Sequence, residues 1–280
     1  MIVPSSEVDS KSSDWLAQLD LDFCYGTDKT VLSHRKQLGP LAVQRAFYPE
    51  GNVCHLYILH PPGGVVGGDR LTINVRIQDN AHTLLTTPGA TKFYRSQGKQ
   101  AQQQQNLTIA DKATLEWLPQ ENIYFPGAQV KIKTQFNLHK NAHVIAWDLH
   151  CFGLPTNDDI FTSGEVQLEF SLIQDDRPLL IEKMNINYDR LNSPTGLRGH
   201  AVMAMLVASP VDEELFETIR LMLNNYSEQL VAVTLIEECL LLRYLGNSTA
   251  QCHKIFIQTW MILRPVILNR QACPPRIWAT

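Results

Sequence analysis

Four carboxylates and one histidine stand where their chemistry could be used. Glu50 lies in Tyr48-Pro49-Glu50-Gly51, Asp148 in Ala146-Trp147-Asp148-Leu149, and Glu182 in a segment that opens with Leu179-Leu180-Ile181. His60 and Asp69 bracket the stretch His60-Pro61-Pro62-Gly63-Gly64-Val65-Val66-Gly67-Gly68-Asp69. Carboxylate oxygens with an occasional imidazole suit a divalent cation held loosely. The plainer reading of each carboxylate is a satisfied or rim group. A tight closed site is not legible. The nearest histidine pairs are His55/His60 and His139/His143, and side chains four apart on a strand lie about 13 Å from each other. The six cysteines are scattered singly, with no Cys-x-x-Cys, which reads as small buried hydrophobes rather than a zinc site or a disulfide framework.

Other chemistries fit less well. Four glycines between Gly63 and Gly68 could let a backbone approach phosphate. A phosphate loop, however, needs Lys-Ser/Thr and a following helix, and a dinucleotide fingerprint needs a helix N-terminus behind the glycines. Here Asp69-Arg70 leads into a strand, so a tight β-to-β connection is expected. Thr87, Thr91 and Ser96 supply hydroxyls beside Lys92 and Arg95, but His82 is the only nearby base and no nucleophile is activated by spacing alone. Glu116 and Glu121, flanked by Trp117 and Tyr124, could straddle a glycosidic bond as an acid/base pair. Alternatively they are two exposed carboxylates around a turn at Pro119. A β-rich glycoside hydrolase or carbohydrate-binding protein is therefore the competing reading.

The elements that must hold these residues are mostly strands. Leu19, Leu21 and Phe23 alternate with polar neighbours, as do Leu71 to Ile77, Val130 and Ile132, and Val166 to Leu172. Period-two alternation is the signature of a half-buried strand. Turns at Gly26, Pro61–Gly68, Pro88-Gly89, Pro126-Gly127 and Ser193-Pro194 divide them. Short strands at regular spacing predict a mainly β protein, a layered antiparallel β-sheet body running to about residue 200. Gln102–Gln105 reads as a solvated strand start or loop. From 201 to 280 the pattern predicts a small α+β portion: strand, helix, two strands and helix. Ser209-Pro210-Val211-Asp212 should cap the first helix with Pro210 at its first position, and Ser248-x-x-Gln251 the second. Pro265 should kink or end that last helix. Residues 1–13, rich in Ser and Asp, read as a flexible tail, and 14–280 as a single domain.

Composition bounds the function. The 280 residues carry 24 Lys+Arg against 28 Asp+Glu, and only 19% are charged. That is too apolar for disorder and too acidic for a protein that grips nucleic acid by bulk charge. The greasiest segment, Leu230–Leu245, is interrupted by Thr234, Glu237, Glu238 and Arg243, so no membrane span is expected. The N-terminus lacks the pattern of a signal peptide. A soluble, cytoplasmic protein is the expectation.

Taken together, YPEG at 48–51, HPPGGVVGGD at 60–69, TTPGATKFYRS at 86–96, LEWLPQE at 115–121, Arg264-Pro265 and CPPRIW at 273–278 closely resemble the urease accessory protein family UreD, also called UreH. The resemblance runs in order over roughly residues 14–280. One departure is Leu154 after Gly153, where many relatives carry Arg. The resemblance implies a non-enzymatic, largely β scaffold in nickel-urease maturation. It implies binding to the helical accessory protein UreF, through it to the GTPase UreG, and docking on apo-urease. It also implies an internal passage for Ni2+, bound transiently and with no permanent cofactor. On that basis Glu50, Asp148 and Glu182 are expected to line the nickel path, with His60 and Asp69 near one opening.

Overall fold

The computed structural model describes residues 15–157 and 159–279; the tail expected at 1–13 lies outside the described residues. The strands are β1 (Leu16–Tyr25), β2 (Thr30–Leu38), β3 (Ala42–Val43), β4 (Cys54–Leu59), β5 (Arg70–Ile77), β6 (His82–Thr86), β7 (Thr91–Phe93), β8 (Ala101–Ile109) and β9 (Thr114–Leu118). They continue with β10 (Asn122–Tyr124), β11 (Ala128–Leu138), β12 (His143–Leu154), β13 (Asp159–Ile160), β14 (Gly164–Gln174) and β15 (Arg177–Ile186). After the short helix α1 (Tyr188–Asn192) come β16 (Val202–Ser209), α2 (Glu213–Leu223), β17 (Leu230–Ile236), β18 (Cys239–Gly246) and α3 (Thr249–Leu268). The protein is mainly β, as expected.

The strands form two facing sheets. One has the order β15-β14-β11-β8-β5-β1-β2, and the other β17-β18-β16-β12-β9-β6-β4-β3, with β10, β7 and β13 attached off that path. The expected antiparallel body is corrected here, because β1-β5, β5-β8, β8-β11 and β11-β14 all pair in parallel. So do β4-β6, β6-β9 and β9-β12 in the facing sheet. The reason is the route of the chain. From β5 onward it crosses to the other sheet and returns, so consecutive strands within one sheet run the same way. Alternation reports which face is buried and carries no information on direction. Antiparallel pairs remain at the ends of the sheets, in β1-β2, β14-β15 and the β12-β16-β18-β17 group.

Burial follows the layers. The larger core lies between the sheets and holds Leu19, Val75, Leu107, Val130, Ala146, Phe152, Val166 and Met205 among others. A second core fills the space between the back of the β12 sheet and the helices, with Trp147, Leu149, Leu206, Ile219, Phe256 and Trp260. Strand β12 is thus covered on both faces, which explains its nearly unbroken apolar run. By parity, Ala146, Asp148, His150 and Phe152 face the space between the sheets, while Ile145, Trp147 and Leu149 face the helices.

The C-terminal order of strand, helix, two strands and helix is as predicted. Ser248 caps α3 by accepting from the Gln251 amide at 3.1 Å. Two local readings are corrected. Asp212, not Ser209, caps α2, accepting from the Leu215 amide at 2.8 Å, so Pro210 stands outside the helix. Pro265 does not end α3, one of the two outcomes expected of it: it sits inside the helix, which runs on to Leu268. The surrounding turns are held by the buried packing of Trp260 and Leu263 and by the ion pairs of Arg264, which outweigh one missing amide donor.

Candidate functional site

Three cavities occupy the space between the sheets and its open edge, and they touch through shared walls. The first, about 300 Å3, lies under the glycine-rich loop; His60, Gly64, Gln103, Gln105, Asn122 and Asp148 are among its lining. The second, about 30 Å3, is walled by Asp148, His150, Glu169, Glu182, Met184, Met203 and Met205 together with apolar residues; Glu169 is paired with Lys131 at 3.1 Å. It has room for little more than a water or an ion. The third is an open hollow of about 690 Å3 that shares Glu182, Met184, Met203 and Met205 with the second and adds Arg243. Asp148 therefore belongs to the first two cavities and Glu182 to the last two.

Each end of this series is built by local sequence. Gly64 packs where a Cβ would stand 2.8 Å from the Lys92 carbonyl oxygen and 2.3 Å from the Tyr94 ring, so only glycine lets the loop lie on β7. Asp69 pins the same loop, accepting from the Val66 amide at 3.0 Å and from the Trp15 amide at 3.1 Å. Burial pushes the His60 imidazole below its ordinary pKa, leaving a neutral ring whose nitrogens are available as donors or ligands. The segment 102–105 is a strand start with Gln102 and Gln104 exposed as expected, but Gln103 and Gln105 correct the reading of the whole stretch as solvated. They alternate inward on β8, almost fully buried, and face the first cavity. Buried amides on an inward strand face keep that cavity polar.

Asp148 is held on both oxygens. Asn122 Nδ2 lies 3.4 Å from Oδ1, and His150 Nε2 lies 3.2 Å from Oδ2. The other ring nitrogen of His150, Nδ1, is 2.7 Å from the Tyr124 hydroxyl. Burial, and then the charge of Asp148, push the Tyr124 hydroxyl well above its ordinary pKa, so it keeps its proton and donates to Nδ1. With Nδ1 turned to that hydroxyl, Nε2 is the ring nitrogen that faces Asp148. Glu182, facing from β15, is paired with Arg243 on β18.

Glu50 has a different setting and lines none of the three cavities. Its Oε1 is 2.6 Å from His55 Nε2 and 2.6 Å from Arg264 Nη2. Arg264 in turn reaches Glu116 through Nε at 3.0 Å, while Trp260 Nε1 donates to the same carboxylate at 2.6 Å and His82 Nε2 lies 2.8 Å from it. Burial opposes the Glu116 charge, but His82 and Arg264 outweigh it and bring the pKa down to about 2. Such a carboxyl has no proton to give near neutrality. Glu121 is engaged separately by His253 at 3.0 Å. The geometry thus removes the proposed glycosidase pair: Glu116 is sealed under α3, and Glu121 is tied to it.

The structure brings together Asp148, Glu182 and His60 along one series of cavities, and places Glu50 and Asp69 in supporting networks. Sequence reasoning missed His150, Arg243 and Arg264. His150 stands two residues from Asp148 on one strand, so parity alone could have found it. Arg243 and Arg264 reach partners 61 and 148 residues away, which no local pattern encodes. Among the described residues, no group of three or more His, Cys, Asp and Glu is placed to hold a metal ion. No helix among them is long and apolar enough to cross a membrane.

Fold and site together define a two-sheet β scaffold with polar-lined cavities between its layers. The chain matches the family described as UreD urease accessory protein over residues 16–279. It is 45% identical to a urease accessory protein UreD of Aliivibrio fischeri, over 98% of this chain and 99% of that one. It is 42% identical to the UreD of Alcanivorax borkumensis, covering 99% and 96%, and 40% identical to that of Klebsiella aerogenes, covering 95% and 97%. The chain belongs to the UreD urease accessory protein family.

Proposed function

We propose that this protein is a non-enzymatic maturation factor whose series of cavities conducts Ni2+ toward the active site of apo-urease. The observation that carries the reading is the sharing of walls: Asp148 joins the first cavity to the second, and Glu182 the second to the third. A conduit needs ligands that bind weakly and at intervals. Asp148 and Glu182 on opposite sheets, with the neutral imidazole of His60 toward one end, meet that need better than a tight cluster would. Nickel is cargo here and no resident cofactor is invoked. Glu50 and Asp69 act on the path indirectly, by holding α3 and the glycine-rich loop in place.

The partners in this reading are a UreF-type accessory protein, a UreG-type GTPase and apo-urease, in the cytoplasm. The test is urease activation in cells carrying the urease genes with Asp148→Asn or Glu182→Gln in this chain. Activation should fall about tenfold or more for each, with the chain still present at normal level. Full activation by both variants would sink the proposal.

A further inference from the structure

Asp148 and Glu182, the carboxylates that join one cavity to the next, have unlike partners. Asp148 meets the Asn122 amide and the His150 ring, and no Lys or Arg pairs with it among the described residues. Glu182 meets a permanent cation, Arg243. Register puts these groups in order. Asp148 is opposite Met205 on β16, and Met205 is opposite Arg243 on β18. Residues directly opposite share a face and stand about 5 Å apart, so Arg243 lies two strands, on the order of 10 Å, from Asp148 on the same inner face. Glu182 comes to it from the facing sheet. An ion leaving the narrow cavity for the open hollow passes this pair, since Glu182 walls both spaces and Arg243 walls the hollow.

We propose that Arg243 is a tethered competitor at this mouth, occupying Glu182 so that a divalent cation cannot be retained there. Resting on the conduit reading above, this assigns a residue to release, where that reading explained only binding. The guanidinium is held beside its carboxylate by the chain and has a high effective concentration. The pair is partly exposed, with relative side-chain exposures of 49% and 26%, and a contact of that kind is weak enough to open when an ion arrives. Lys183 and Arg198, also on the hollow's wall, add positive charge at the same mouth and disfavour a resident cation.

The test is equilibrium dialysis of Ni2+ alone against the full-length chain carried on a soluble fusion partner. Arg243→Gln should raise nickel affinity about two- to fivefold, because a competitor of this strength has been removed. Arg243→Lys should stay close to the parent. Adding Glu182→Gln to Arg243→Gln should abolish the gain. Unchanged affinity in Arg243→Gln, or a gain that survives loss of Glu182, would overturn the proposal. A merely structural ion pair predicts lower stability with no change in affinity, which also overturns it. The conduit reading fails by a different result, full urease activation without Asp148 or Glu182, so the two failures are distinguishable.

Discussion

Arg264 on α3 and Glu116 on β9 are 148 residues apart in the chain and meet with both side chains fully buried. Arg264 also reaches Glu50, and Trp260 donates to Glu116, so one guanidinium joins the last helix, the sheet and the loop before β4. Removing one partner of a buried pair leaves the other charge without compensation, a loss of about 3–5 kcal/mol. Arg264→Met should therefore lower the denaturation midpoint strongly. The double variant Glu116→Leu/Arg264→Met should recover much of that loss. Chemical denaturation followed by circular dichroism measures both.

The same network sets an acid limit. Glu116 has a folded-state pKa of about 2, against about 4.3 for an unfolded glutamate. A depressed carboxyl stabilises the fold above the unfolded value, and the contribution is lost as pH falls from there through the folded value. The contribution of this group should therefore be flat near neutrality and decline between about pH 4.5 and 2, by on the order of 3 kcal/mol. Glu50 and Glu121 are lowered too and act in the same direction. Glu116→Gln should flatten the acid limb; an unchanged limb would contradict the assignment.

Gln103 offers a way to separate stability from the proposed transport. It is buried on an inward strand face and lines the first cavity, where packing alone would favour an apolar residue. Gln103→Leu should leave the thermal midpoint unchanged or raised, since an amide leaves a poorly solvated place. If the conduit reading holds, urease activation in cells should nevertheless fall, because the wall would no longer solvate a passing ion. Equal activation would argue that this wall is only structural.

The glycine-rich loop should resist even a single methyl group. A Cβ on Gly64 would stand 2.8 Å from a backbone oxygen, which cannot swing aside like a side-chain end. Gly64→Ala should destabilise by about 1–3 kcal/mol through overpacking. Gly63→Ala, where nothing lies within 4 Å, should be nearly neutral. A thermal melt of the two variants side by side distinguishes them.

What the sequence by itself determined is local. Alternation in Leu71–Ile77 and Val166–Leu172 showed which side chains are buried, because the strand period of two is a property of the backbone. The strand and helix order after residue 201 and the Ser248 cap were readable for the same reason. The family was readable from short motifs in a constant order. Tertiary structure decided the rest. Strand direction came from the crossing of the chain between sheets, which turned the expected antiparallel body into one dominated by parallel pairs. Glu50 and Asp148 both stood as carboxylates in promising sequence. Glu50 found Arg264 on a distant helix, and Asp148, by parity on β12, faced the space between the sheets. A carboxylate's neighbours across a sheet are set by register and layer packing, and those depend on the whole chain at once.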